Sequence, residues 1–260
     1  NIIIATGAHA KLPPIDGIGS KCVVTSTELL ELEHIPENLC IIGAGVIGME
    51  FASAFQRFGS NVTLVEFMNE CLPAMDSDIA KRLRKCLEKR NIKFYLQSSV
   101  KAITDNCVIF ERKGNEATII ANAVLVATGR VPNVKELNLK NAGVEYSEKG
   151  IWVDDNMQTN IPHIYAVGDV NGRQMLAHAA IFQGFRAVNH ILGKDDSIRF
   201  DIMPAAVFTT PEFACVGLTA DQCVAHGIDN KEYKGYYRTN GKALASEVSE
   251  GMVKVITDNR

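Results

Sequence analysis

NLCIIGAGVIGMEFASAFQRFGSNVTLVE, residues 38 to 66, is the stretch whose reading decides the fold. Leu39-Cys40-Ile41-Ile42 is short, apolar and β-branched, which suits a strand buried on both faces. Gly43, Gly45 and Gly48 follow in the G-x-G-x-x-G spacing. Gly43 permits a tight turn out of the strand, Gly45 leaves room for a pyrophosphate against the backbone, and Gly48 lets the next helix lie close to the sheet. The pattern predicts a helix over 46–58, with Ile47, Phe51, Phe55 and Phe58 inward and Gly59 as its stop. Its first amides and the positive end of its dipole face the phosphates. A second strand over 61–65 ends in Glu66, 18 residues past Gly48, where a carboxylate accepts hydrogen bonds from the adenosine ribose. A carboxylate there repels a 2′-phosphate, and Phe67, Met68 and Asn69 supply no arginine to bind one. The expected ligand is therefore NAD rather than NADP.

Outward from this segment, the composition is that of a globular α/β chain. Of 260 residues, 47% are hydrophobic and 22% charged, and 27 basic against 30 acidic residues leave a net charge of −3. No basic field argues for nucleic acid or anionic lipid, so neither is an expected partner. No apolar run has the length of a membrane span and no secretory signal opens the chain, so a cytoplasmic location is expected. The seven cysteines, at 22, 40, 71, 86, 107, 215 and 223, form no C-x-x-C and no C-x-x-x-x-C. They read as reduced, small apolar side chains. His9, His34, His163, His190 and His226 have no metal spacing, and no metal is expected. The chain opens on Asn1 inside the apolar run Ile2-Ile3-Ile4, which reads as a buried strand and suggests a piece of a longer protein.

Taken in order, residues 1–10 read as a strand ending in Thr6-Gly7, and 11–20, with Pro13, Pro14, Gly17 and Gly19, as an irregular connector. A short helix over 26–32 would be capped by Ser26 or Thr27. A longer helix from Asp76 to about Arg90, capped by Asp76 or Ser77, turns Ile79, Leu83, Cys86 and Leu87 inward, and its basic run 81–85 is a solvated face. Runs at 93–97, 100–104, 107–112 and 117–120 read as a small antiparallel meander, and 123–127 as a central parallel strand. The Ala-Thr-Gly at 127–129 repeats that at 5–7, a weak internal echo of two nucleotide-binding units. After a turn-rich stretch, a strand over 163–167 stops at Gly168-Asp169. A helix over 176–192 then turns Ile181, Phe185, Val188 and Ile191 or Leu192 inward, ending at Gly193. Strands at 205–210, 213–216, 233–238 and 252–257, with a helix near 220–226, close the chain, which stops at Arg260 in mid-strand register.

Six motifs stand in order: ATG at 5–7, the glycine-loop segment at 43–66, VATGRVPN at 126–133, IYAVGDV at 164–170, MLAHAA at 175–180 and VFTTPEFACVGLT at 207–219. Together they resemble the flavin-dependent pyridine nucleotide–disulfide oxidoreductases, and within them most the dihydrolipoyl dehydrogenases. The resemblance implies an α/β, Rossmann-like FAD/NAD(P)-binding domain, a parallel sheet with a β-meander, plus a remnant of the FAD domain and the start of an α+β interface domain. It divides the chain into 1–33, tail of the FAD domain and connector; 34–130, NAD-binding; 131–198, central and FAD-contacting; and 199–260, partial dimerisation domain. It implies NAD contacts from Gly43, Ala44, Gly45, Val46, Ile47, Gly48, Met49, Glu50, Glu66, Val100 and Gly129, and FAD contacts from Thr6, Gly7, Ala8, Asp169, Met175, Leu176, Ala177 and His178. Glu50 matches the family's acid near the nicotinamide, whose lysine partner this chain lacks.

Three of these residues also have plain structural readings: Asp169 as a turn aspartate, His178 as a helix N-terminal histidine without ligand, and Glu50 as an acid held by the helix dipole. The family's redox C-x-x-x-x-C and first glycine loop are not in this chain, and its His–Glu acid–base pair would lie beyond Arg260, so no catalytic residue is assigned. The resemblance implies a parent enzyme that oxidises dihydrolipoamide with NAD+ through a disulfide and FAD, a homodimer, and membership of a 2-oxoacid dehydrogenase complex. The expected fragment binds NAD, retains FAD weakly and self-associates. Two alternatives are another NADH-dependent flavin disulfide reductase or oxidase, and a non-catalytic nucleotide-binding module.

Overall fold

The strand that opens the glycine-loop segment, Asn38–Ile42, is the middle member of a five-stranded parallel sheet in the computed structural model, which describes residues 1–258. The order is Val23–Val24, Ala123–Val126, Asn38–Ile42, Asn61–Val65 and Lys93–Tyr95. Alternation along these strands sorts the core. Leu39, Ile41, Val62, Leu64 and Leu125 pack with Met49, Ala52, Phe55, Leu83 and Leu87 of two helices. Cys40, Ile42, Val65, Val124 and Val126 pack with Ile103, Val108 and Phe110 of a three-stranded antiparallel meander. Both faces of the sheet are thus covered, which is why its strands read as continuous apolar runs. At the strands' N-terminal ends, Asn61 donates to the Asn38 side chain (3.2 Å), whose own amide donates to Asn122 (3.1 Å), a ladder that pins the register.

By its contacts the chain divides into two units, one made of 1–11 and 129–205, the other of 12–128 and 206–260. The second holds the parallel sheet, the meander and the C-terminal segment, in which Ala205–Val207 pairs with Phe213–Cys215 and Asn230–Tyr236 with Met252–Asp258. A short helix, Gly241–Ala245, unanticipated by the sequence reading, lies between the last two strands. In the first unit, Ile2–Ile4 pairs in parallel with Ile164–Ala166, and Ala8–Ala10 pairs antiparallel with Arg130–Pro132. Its core gathers Val134, Leu139, Ile151, Met157, Tyr165, Val170 and Ala187. No helix among the described residues is long and apolar enough to cross a membrane.

Several expectations are corrected. The glycine-loop helix runs Val46–Arg57 and buries Gly48, Met49, Ala52, Ser53 and Phe55, whereas Ile47 and Phe51 are half-buried and Phe58 is exposed. Gly48 and Ala52 let the helix approach the sheet closely, Met49 and Phe55 fill the core beside them with Phe51 packed against it, and Phe58, at the cap, stacks edge-on against Phe55. Lys93–Tyr95 belongs to the parallel sheet, beside Asn61–Val65, so the meander has three strands, Ser98–Ile103, Cys107–Arg112 and Asn115–Ile120. The Ser26–Leu30 helix is capped by Thr25, in a capping box with Glu28. The helix over Ala177–Ile191 buries Ala179, Gln183 and Ala187 and packs a half-buried Ile191 on the core as expected, but leaves Ile181, Phe185, Val188 and Leu192 exposed, against expectation. Ile2 and Ile3 are exposed as well, in line with the self-association expected of this chain. Asp76 does cap the helix Ser77–Glu88, by accepting from the Asp78 and Ile79 amides. Arg260, expected in mid-strand, lies outside the described residues.

Candidate dinucleotide site and the Gly168 turn

Three glycines build the loop for three different steric reasons. Gly43 has φ +103°, and a Cβ there would sit 2.6 Å from the Ala127 carbonyl oxygen. At Gly48 a Cβ would lie 2.0 Å from the Gly43 carbonyl oxygen, so the helix can start against the loop only without a side chain. Gly45 faces nothing within 4 Å. It is also the N-cap of the helix, and no side chain caps it. First-turn amides and the positive dipole end therefore open onto free space, the arrangement that accepts a phosphate.

Glu66 is 7% exposed, and both of its carboxylate oxygens are engaged by backbone. The Ala44 amide donates to Oε2 (2.5 Å) and the Met68 amide to Oε1 (2.8 Å). The acid that the sequence reading assigned to the ribose thus also holds the glycine loop, and each oxygen retains a second lone pair for a ligand hydroxyl. Beyond Glu66 lies a cleft of about 560 Å³ lined by Phe67, Met68, Asn69, Gln97, Ser99, Glu111 and Lys113. Gln97 precedes the meander, Ser99, Glu111 and Lys113 come from its strands and turn, and no local pattern announced these four. Val100 is half-buried at a bulge in the Ser98–Ile103 strand. Glu50 is not held by the helix dipole alone: its Oε1 accepts the Phe208 amide (2.8 Å), and one turn on, Ser53 Oγ accepts the Thr210 amide (3.1 Å). Burial pushes the Cys40 thiol up to about 12, which removes it as a nucleophile at neutral pH.

The first unit carries the other predicted residues. Thr6 Oγ1 donates to the Asn133 carbonyl (2.9 Å) while Asn133 Nδ2 returns a bond to the Thr6 carbonyl (2.8 Å), clamping the turn in which Gly7 has φ +69°. His9 Nδ1 lies 2.6 Å from Asn133 Oδ1. Arg130 donates to the Ala8 carbonyl and lies 3.7 Å from Asp169. Gly129 has φ +128°, and its carbonyl accepts the Lys11 amide (2.9 Å). Asp169 sits in the 3-10 turn Gly168–Asn171, which is fastened by a fully buried Gln183: its Oε1 accepts from the Gly168 amide (2.7 Å) and from Asn171 Nδ2 (2.8 Å). Leu176 is the N-cap of the following helix, again with no side-chain cap, and Ala177 and His178 form its first turn beside a partly exposed Met175. His178 Nε2 is 2.7 Å from the Pro204 carbonyl oxygen, so its ring is tied to backbone. Arg130, Asn133 and Gln183 were not singled out in the sequence; the RVPN that follows the second Ala-Thr-Gly was the one local signal for the first two.

Residues 1–184 match the family described as pyridine nucleotide-disulphide oxidoreductase, and residues 203–260 its dimerisation domain. Among curated relatives, a leghemoglobin reductase of Glycine max is 40% identical over 99% of this chain and 51% of its own length. A dihydrolipoyl dehydrogenase of Bacillus subtilis is 38% identical over 99% of this chain and 57% of its own. The chain thus spans about half the length of the curated relatives it matches. Among solved structures, the HOCl-induced flavoprotein disulfide reductase RclA from Escherichia coli superposes with a TM-score of 0.88 at 32% identity, covering 99% of this chain and 60% of that one.

Proposed function

The chain belongs to the pyridine nucleotide-disulphide oxidoreductase family, and from that premise we propose that it is the NAD-binding, central and part of the interface region of a dihydrolipoyl dehydrogenase-like flavoenzyme. In this reading residues 34–130 bind NAD, 1–33 and 131–198 contact FAD, and 199–260 contribute to a homodimer interface. The whole enzyme oxidises dihydrolipoamide, passes the electrons to NAD+, resides in the cytoplasm and serves a 2-oxoacid dehydrogenase complex. When bound, the flavin supplies the hydride chemistry. This chain's residues supply position: the amides of Gly45 to Gly48 take the pyrophosphate, Glu66 takes the ribose hydroxyls, and Glu50, Val100 and Gly129 line the rest of the NAD path. Thr6, Gly7, Ala8 and Asp169 take the FAD chain, and the uncapped helix start from Met175 to His178 offers its dipole to an electron-rich ring.

One observation carries the reading: a buried Glu66 carboxylate, fixed by the Ala44 and Met68 amides, stands beside an open, uncapped helix start at Gly45. Titration of the purified chain with NADH and NADPH tests it. NADH is expected to bind at least ~10-fold more tightly, and Glu66→Ala to erase that preference, because a fixed carboxylate repels a 2′-phosphate. Equal or tighter NADPH binding by the unaltered chain overturns the NAD assignment. The resemblance to RclA supports a second reading, a flavin disulfide reductase with another substrate. Substrate turnover by the full-length enzyme separates the two.

A further inference from the structure

The sequence places Cys22 and Cys107 85 positions apart, in the connector and at the start of a meander strand. The fold brings both to Thr104: Cys22 Sγ donates to the Thr104 carbonyl (3.3 Å), and Cys107 Sγ lies 3.0 Å from Thr104 Oγ1. Both cysteines are half-buried, whereas Cys40, Cys71, Cys86 and Cys223 are buried. The connector is already seated on this end of the meander, since the Ile103 amide donates to the Asp16 carbonyl (2.8 Å) and Gly17 lies so close that a Cβ would clash with the Ile103 carbonyl oxygen. A crosslink here would tie two segments that are in contact before it forms.

We propose that Cys22 and Cys107 form an oxidisable dithiol, a modification site separate from the dinucleotide loop, which closes to a disulfide by exchange with a low-molecular-weight disulfide. The Cys107 thiolate attacks one sulfur of the small disulfide and expels the other as a thiolate. The Cys22 thiolate then attacks the Cys107 sulfur of the mixed disulfide and expels the second small thiolate. Two protein thiols lose two electrons and two protons, and one small disulfide becomes two thiols. Burial and, less, the neighbouring Asp105 and Cys107 hold the Cys22 thiol up, which lowers its share of attacking thiolate. The Asp105 carboxylate also makes a neutral disulfide the better oxidant.

The test treats the purified chain with 2-hydroxyethyl disulfide, followed by non-reducing peptide mapping. The expected product carries no small-molecule adduct at Cys22 or Cys107, weighs about 2 Da less than the reduced chain once any Cys215 adduct is removed from the count, and joins tryptic peptides 22–57 and 102–112. Because Cys40 shares the first peptide, fragmentation must place the link at Cys22. In Cys107→Ser and Cys22→Ser the link is lost, and the remaining thiol keeps a small-molecule adduct. Separate adducts on Cys22 and Cys107 in the unaltered chain, or a link found only between two chains, overturn the proposal.

Discussion

At Gly48, one hydrogen in place of a methyl group decides whether the glycine-loop helix can start where it does. The two atoms nearest to an added methyl would be the Gly43 carbonyl oxygen at 2.0 Å and its carbon at 3.2 Å, both backbone and unable to swing away. Gly48→Ala is therefore expected to cost about 1–3 kcal/mol of stability and to displace the amides that face the ligand. A lowered urea midpoint together with weakened NADH binding, read by denaturation and by fluorescence titration, checks both halves. Gly45 is the contrast: nothing lies within 4 Å of it, so its role is clearance for a ligand and not internal packing. The same scale explains Glu66, whose 18-residue offset from Gly48 was legible in the sequence. That it also bonds the Ala44 amide was not, because that contact exists only after two parallel strands align.

Between elements, the helix Ser77–Glu88 and the hairpin of Asn230–Tyr236 with Met252–Asp258 are joined by charge. Lys254, only 5% exposed at its side chain, lies 2.8 Å from Asp76, 3.1 Å from Asp78 and 2.9 Å from Glu232, and Lys234 lies 2.7 Å from Asp78. Burial opposes the Lys254 charge, and its hydrogen bonds to Asp76, Glu232 and Asp78 outweigh that, holding its pKa above the ordinary lysine value. Hydrogen bonds from Lys234 and then Lys254 hold the Asp78 carboxyl below its usual range. A depressed carboxyl contributes stability above its unfolded pKa and loses it as pH falls through the folded one. A raised lysine contributes below its unfolded pKa and loses it as pH rises through the folded one. The attachment is thus complete at neutral pH and is expected to weaken below about pH 4, seen as a fall in thermal midpoint that Lys254→Met reduces in part, since Lys234 still pairs with Asp78. At pH 7 that substitution is expected to cost about 2 kcal/mol, the figure for a broken buried pair discounted because Asp78 and Glu232 remain open to water. An unchanged midpoint in Lys254→Met would refute the arrangement.

For the molecule as a whole, the apolar surface is the property that follows from no single element. The Ala177–Ile191 helix exposes Ile181 (59%) and Phe185 (58%), with Phe182, Val188 and Leu192 around them, while Ile2 and Ile3 in the same unit are exposed too. A contiguous apolar face of this kind drives self-association. Replacing Ile181 and Phe185 by Gln is expected to lower the association seen by light scattering or sedimentation, at a cost within about 0.5 kcal/mol because neither side chain is buried. Unchanged association would place its cause elsewhere.

By itself the sequence determined the parallel α/β class, the glycine loop, the acid at its strand end and the family, because each is written in a local period or a short fixed spacing. Burial on the Ala177–Ile191 helix was misread because periodicity marks an apolar face without saying what covers it. Lys93–Tyr95 went to the wrong sheet because a short β-prone run carries no record of its partner strand. Only the tertiary structure decided which residues meet across long separations: Gln183 on the Gly168 turn, Lys113 at the cleft beside Glu66, Lys254 among three carboxylates, and Cys22 with Cys107 at Thr104. Such meetings depend on strand order and on the packing of both sheet faces, which no window of neighbouring residues encodes.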